Sequence, residues 1–413
     1  MAGQFPLFYR VDQHFADTSI RDVAAAVRAE FAKFNPAGKI KPGQSVAVGV
    51  PSRGVHDLKD VVVTTVQCLK ELGLKPYITP AMGSHGGATG QGQISVLHGL
   101  GIDENSTGVP LKGSMDVVSL GRIDSGMEVV LARDALEADH IVVVNRVKPH
   151  TSFRGEVESG LCKILVVGLG RQKGASTIHK YQIGETIVPA ATLIMEKASV
   201  LLGVVVTENA VGGTHSLRLA LPENFAETDR ELLKEAWTLF PRLPIDQLDV
   251  LMIDEMGKDI SGACMDINII GSWRRDGGER KPDYRVLAVF NLTPDSHGNA
   301  LGMGYADLIP QRVMDAVDIK ATYMNAMSAT ALRGARVPIT LETDRRVLQA
   351  ALATLPDPMN ARVGRIVNTL QLGTFWVSAP MLVDLRGKPG ISVHEDPLAL
   401  EFDEKDALRR FKA

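Results

Sequence analysis

Between Asp139 and Lys180 the chain reads D-H-I-V-V-V-N-R-V-K-P-H-T-S-F-R-G-E-V-E-S-G-L-C-K-I-L-V-V-G-L-G-R-Q-K-G-A-S-T-I-H-K. The segment carries His150, Lys163 and His179. Imidazole titrates nearest neutrality of the side chains, so it suits proton transfer and, when neutral, metal ligation. Lys163 is the single charge in the apolar run from Leu161 to Gly168. Either its stem snorkels out of that run or its amine has a chemical task. Two candidates lie upstream: Arg53 in P-S-R-G and His85 in G-S-H-G-G. The glycines around His85 either admit a ligand closely or serve only the geometry of a turn.

These residues need elements to hold them. His140 to Val144 is a short β-branched run bounded by polar residues, which predicts a buried strand. It would deliver Asn145, Arg146, Lys148 and His150 to a strand end, where α/β proteins place their ligands. Ser45 to Val50 and Lys75 to Met82 read as further strands. They end at Pro51-Ser52-Arg53-Gly54 and at Gly83-Ser84-His85-Gly86-Gly87. Helices are expected over Ser19–Phe34, Asp57–Leu72, Gln91–Leu100 and Ile187–Val200, with a hairpin over 116–131 and a strand over Gly203–Thr207. Strand, polar loop and helix in alternation predict a parallel sheet with crossover helices. Leu217 to Leu239 reads as helix interrupted at Pro222. Pro241-Arg242-Leu243-Pro244 is the clearest linker signal. Beyond it, strands are expected near 250–254 and 286–291, and helices over 306–317, 348–355 and 361–369. The expected fold is therefore α/β with two domains, the site in the cleft between them. Residues 1–244 form a parallel-sheet N-terminal domain, 245–386 a smaller α/β C-terminal domain, and 387–413 a tail that returns to the first.

Composition narrows the function. Lys+Arg 45 against Asp+Glu 48 gives a net charge of -3, without the basic excess of a general nucleic-acid binder. The most apolar stretch, Ala190 to Val206, contains Glu196 and Lys197 and is too short and too charged to cross a membrane. Three cysteines without a C-x-x-C pair, and no basic-then-apolar start, predict a reduced, cytoplasmic setting. V-V-G-L-G-R-Q-K-G opens like a dinucleotide fingerprint after an apolar strand, but Lys173 stands at the third glycine, and no acidic strand end follows at the required distance. There is no H-E-x-x-H and no G-x-S-x-G, which argues against zincin and serine-hydrolase chemistry.

Taken in order, V-P-S-R-G, P-A-M-G-S-H-G-G-A-T, V-N-R-V-K-P-H, S-G-L-C-K and then His179 resemble the nickel-pincer lactate racemase family. That family carries D-x-T-R, G-T-H, P-H, a glycine-rich segment ending in lysine, and a histidine. The intervals are similar: 32 residues from Arg53 to His85, 65 from His85 to His150 and 16 from Lys163 to His179. The resemblance covers residues 45–180 well and the remainder loosely.

The resemblance implies a cofactor and a reaction. Lys163 would tether a nickel-pincer nucleotide, a pyridinium mononucleotide with thioamide and thiocarboxylate arms. His179 would ligate the nickel. His85 and His150 would be the acid/base pair. Ser52, which replaces a threonine, and Arg53 would contact cofactor or substrate. Arg274 would be a second substrate contact, in a stretch M-D-I-N-I-I-G-S-W-R where Asp266 and Asn268 match the family. The implied activity is racemisation or epimerisation of a small 2-hydroxy acid by hydride transfer, with cofactor-biosynthesis proteins as partners. A sugar-acid epimerase, another hydride-transfer enzyme, or a non-catalytic nickel-pincer-binding protein are the alternatives. Three departures bear on the substrate. The family aspartate falls on Val50 and its glutamine on Gly271, and the loop carrying Arg154, Glu156 and Glu158 is longer.

Overall fold

A computed structural model describes residues 5–36, 38–52, 55–151 and 153–411. It confirms the α/β class. Ala16–Phe240 form one compact unit, and the chain before and after that span forms the other.

The unit Ala16–Phe240 is built on a five-stranded sheet. Its order is Lys75–Pro80, Ser45–Val50, His140–Arg146, Val200–Glu208 and Thr214–Ala220. The first four strands are parallel and the last closes a hairpin with Val200–Glu208. The strands are apolar on both faces because both faces are covered. Val46, Val48, Val142, Val144 and Val204 point into one core, shared with the helices Val23–Lys33 and Leu58–Glu71. Ala47, Ile141, Val143 and Val205 point into the other, shared with Ile183–Lys197 and Phe225–Leu239. That alternation is the two-residue period of a strand. Each such valine, fully buried, contributes roughly 1.5–3 kcal/mol. The chain leaves Ser45–Val50 for Lys75–Pro80 on one side, then crosses to His140–Arg146 on the other. The sheet therefore has a topological switch point between Ser45–Val50 and His140–Arg146, and ligands bind outside the carboxyl ends of such strands.

Several elements differ from the sequence reading. The first helix starts at Val23, because Asp22 accepts from Ala25 N–H and caps it there. Leu217–Ala220 belongs to a strand, fixed by its pairing with Val200–Glu208, and Pro222 opens the next helix rather than interrupting one. Leu161–Gly168 is helical, with a π turn over Ile164–Gly168, so no strand precedes G-L-G.

The second unit holds an eight-stranded sheet: Ile339–Leu341, Leu308–Pro310, Val286–Val289, Val250–Ile253, Val363–Ile366, Thr374–Ser378, Phe8–Gln13 and Ile391–Val393. The first five strands are parallel and the last three join antiparallel. The expected helix over 306–317 is shortened to Gln311–Asp315 behind the strand Leu308–Pro310, and the one expected over 361–369 contains the strand Val363–Ile366 instead. Both strands are short, and neighbours distant in sequence decide their state. The early strand Phe8–Gln13 groups with the later chain, and the tail strand Ile391–Val393 pairs on it. The grouping thus differs from 1–244, 245–386 and a tail returning to the first part. The unit boundary falls at Pro241, where the linker signal stood.

Candidate active site

The site is assembled on the carboxyl edge of the five-stranded sheet. Ala81 N–H donates to Val50 O at 2.7 Å, which carries the pairing of two strands into their loops. This brings Ser52 beneath His85: the nearly buried Ser52 Oγ lies 2.7 Å from His85 Nδ1. Val50, the last residue of its strand, is wholly buried, and the Ser52 hydroxyl two residues on meets the ring of His85. Arg53 lies outside the described residues.

The loop after His140–Arg146 is tied down by its own polar groups. His150 N–H donates to Glu158 Oε2 at 2.7 Å, and Arg154 Nη1 donates to His150 O at 2.6 Å. Lys148 N–H donates to Ser159 Oγ, whose hydroxyl returns a bond to Lys148 O. Phe153 lies between two candidate groups. Its ring centroid is 4.3 Å from that of His150 and 5.0 Å from Lys163 Nζ. The loop residues Phe153, Arg154 and Glu158 therefore fix His150 and wall the lysine. Burial raises the pKa of the Glu158 carboxyl.

Lys163 sits one turn into the helix that starts at Leu161. The buried Asp229 caps that helix from 68 residues away, accepting from Leu161 N–H at 2.8 Å and Cys162 N–H at 2.9 Å. Asn145 Nδ2 donates to Gly160 O at 2.6 Å and joins the same helix start to the central strand. Desolvation pushes the Asp229 carboxyl up to about 7. Lys163 Nζ donates to Glu158 O at 3.2 Å. Its amine is pulled down to about 7, first by desolvation and then by the charge of Lys148, with Glu158 opposing. His179, at the end of the helix Arg171–Ile178, is also pulled down, by burial and by the charge of Lys163. Lys148, Glu158, Lys163 and His179 thus share one electrostatic neighbourhood. Neutral pH finds a large share of neutral amine there, next to a histidine biased toward its neutral form.

The G-L-G motif packs chain against chain. Gly83 N–H donates to Gly168 O at 3.1 Å. A Cβ on Gly168 would come within 2.6 Å of Ala81 O, so glycine is what lets the His85 loop lie against the Lys163 helix. Leu161–Gly168 and the His85 loop are therefore one packed assembly.

Arg274 belongs to the second unit. It forks onto Asp307, with both nitrogen–oxygen distances at 2.7 Å, and lies 4.6 and 4.8 Å from the centroids of the adjacent Trp273 and Tyr284 rings. In this structure the fork expected to hold a substrate carboxylate is thus paired with Asp307. Asp266 accepts from Asn268 N–H at 2.9 Å and caps a short helix. At Gly271, which has φ +97°, a Cβ would meet Trp273 Nε1 at 2.5 Å, so a side chain there would strain the backbone and displace the indole. Among the described residues no group of three or more His, Cys, Asp or Glu is arranged to hold a metal ion. Sequence reading missed Ser52 as the partner of His85, and it missed Phe153 and Asp229. Asp229 had no local signal, because its role exists only through distant backbone.

No protein-family model and no curated protein matches the sequence. Among solved structures the fold is similar to the lactate racemase apoprotein from Thermoanaerobacterium thermosaccharolyticum. The TM-score is 0.54 at 13% identity, over 88% of this chain and 99% of that one. At that identity the likeness is one of fold.

Proposed function

We propose that this chain is a racemase or epimerase of a small 2-hydroxy acid, with a nickel-pincer nucleotide tethered at Lys163 and its nickel ligated by His179. The observation that carries the reading is the pair itself. Lys163 is lowered to about 7, and burial, joined by the Lys163 charge whenever that amine is protonated, holds His179 toward neutrality. A neutral amine is the form that makes a covalent amide-type bond, and a neutral imidazole is the form that ligates a metal. Soft sulfur and carbon donors beside imidazole suit nickel. When bound, that group supplies a reversible hydride acceptor.

The chain's own residues handle the proton and the surroundings. Taking C2–H of a 2-hydroxy acid as a proton would build a carbanion beside a carboxylate, so the hydrogen leaves more easily as hydride. One imidazole of His85 and His150 takes the hydroxyl proton, and the other serves the opposite enantiomer. Ser52 orients His85 through Nδ1, and Glu158 holds the backbone of His150. Phe153 gives Lys163 and His150 an apolar wall. Arg53 is proposed to grip the substrate carboxylate with its guanidinium fork. Loading requires the cofactor-biosynthesis proteins.

Two measurements test the reading. After co-expression with the cofactor pathway, the intact mass should exceed that of the bare chain, and Lys163→Ala should carry no adduct. With 2-deuterated substrate, the label should stay on C2 through racemisation. An adduct that persists in Lys163→Ala, or rapid washout of deuterium into water, would refute it.

A further inference from the structure

We propose that Arg171 is a positioning residue for His85. Through Gln93 it fixes the loop bearing this histidine against the segment that bears Lys163. The inference rests on the functional reading of His85 and Lys163 above, but its geometry stands apart from any cofactor.

Arg171 follows Gly168-Leu169-Gly170 and opens the helix that ends on His179. Its side chain is fully buried and its backbone sits at φ +55°, a region that L side chains rarely adopt. A buried guanidinium must be paired. Asp134 pairs it, with both carboxylate oxygens within 2.9 Å of Nη2. Asp134 is held in turn by Thr79 Oγ1 at 2.9 Å. Nε makes no hydrogen bond, and the other bonds of Nη1 and Nη2 turn toward the His85 loop. Nη1 donates to Pro80 O, the last residue of the strand that leads into this loop, and Nη2 donates to Thr79 Oγ1 at 2.7 Å. Nη1 also donates to Gln93 Oε1 at 3.2 Å.

The last contact decides how Gln93 faces. Arginine is donor-only, so the oxygen of the buried Gln93 amide must turn toward it. The amide NH2 is then forced the other way. There it meets Gly83 O at 2.8 Å and His85 O at 3.4 Å. Arg171 thus sets the polarity of an amide that grips the His85 loop from behind. Its own backbone continues the segment from Lys163. One buried cation ties together the His85 loop, the Lys163 helix and the helix ending on His179.

The test separates positioning from core stability. Gln93→Leu removes the grip on the loop and leaves Arg171 on Asp134. Gln93→Glu keeps the acceptor for Arg171 but cannot donate to the two carbonyls. Arg171→Lys keeps the charge without the fork. The reporter is the His85 imidazole Cε1–H resonance in the apo protein, assigned with His85→Ala and followed through its pH titration. All three variants should move that resonance and its titration midpoint. In loaded enzyme, kcat should fall by up to about 10²-fold with KM nearly unchanged, the cost of a misplaced catalytic group. A wild-type His85 titration in Gln93→Leu and Gln93→Glu would overturn the proposal, whatever the change in melting temperature. A wild-type protein without adduct or racemisation would instead strike the functional reading, and the apo titration would still decide this one.

Discussion

The Lys163 amine offers the sharpest quantitative test. It is lowered from 10.5 to about 7 by desolvation and the nearby Lys148 charge. At pH 7 about half of it is neutral, while an ordinary lysine near 10.4 is neutral in roughly 4 parts in 10⁴. The neutral fraction is therefore raised about 10³-fold. Trace acetylation of the apo protein with isotopic acetic anhydride, followed residue by residue by mass spectrometry between pH 5.5 and 10, reads this directly. Lys163 should label with a midpoint near 7. Two variants test the causes. Lys148→Met removes the like charge and should raise the midpoint. Glu158→Gln removes the opposing carboxylate and should lower it. The shift also sets a stability slope. The folded chain releases this proton at lower pH than the unfolded chain does. Between about 7 and 10.5 the unfolded state therefore binds more protons, and this group makes the apo protein more stable as pH rises through that window. A labelling midpoint near 10 would refute the account of the site, because the amine would then be an ordinary solvated charge.

Two further outcomes follow from the geometry. His85→Ala and His150→Ala should each slow racemisation of both enantiomers by roughly 10²–10⁴-fold while the adduct at Lys163 persists; a loss confined to one enantiomer would contradict the shared acid/base role. Asp229→Ala strips the acceptor from Leu161 N–H and Cys162 N–H, leaving two buried donors unpaired at about 1–3 kcal/mol each. Urea unfolding should show that loss, together with a lower adduct yield at Lys163.

The legible parts of the site were those that local chemistry dictates. Ser45–Val50 and His140–Arg146 are β-branched runs ending in polar residues, so both strand ends could be placed, and with them Ser52 and His150. Lys163 stood out as a charge in an apolar run, and its lowered pKa is the physical counterpart of that oddity. Leu161–Gly168 was harder. Apolar residues surround that segment on every side, because it is buried between the sheet and the helices Ile183–Lys197 and Phe225–Leu239, and a segment buried all round shows no period. Leu217–Ala220 and Val363–Ile366 were misread for a related reason: such short segments take their state from distant partners.

The G-L-G-R segment shows where sequence reading ends. Its glycines look like a phosphate cradle because close approach is what glycine supplies. Glycine alone does not say what approaches. Here, at Gly168, it is the Ala81 backbone, and the arginine that follows reaches Pro80, Gln93 and Asp134, between 37 and 91 residues away. The residues that could perform the chemistry are visible as types and spacings. The residues that hold them at a working distance become visible only when the strand ends are brought together. A buried arginine with its carboxylate is the signature of that second kind of residue. It is a costly group, retained at the point where three separate segments of the candidate site meet.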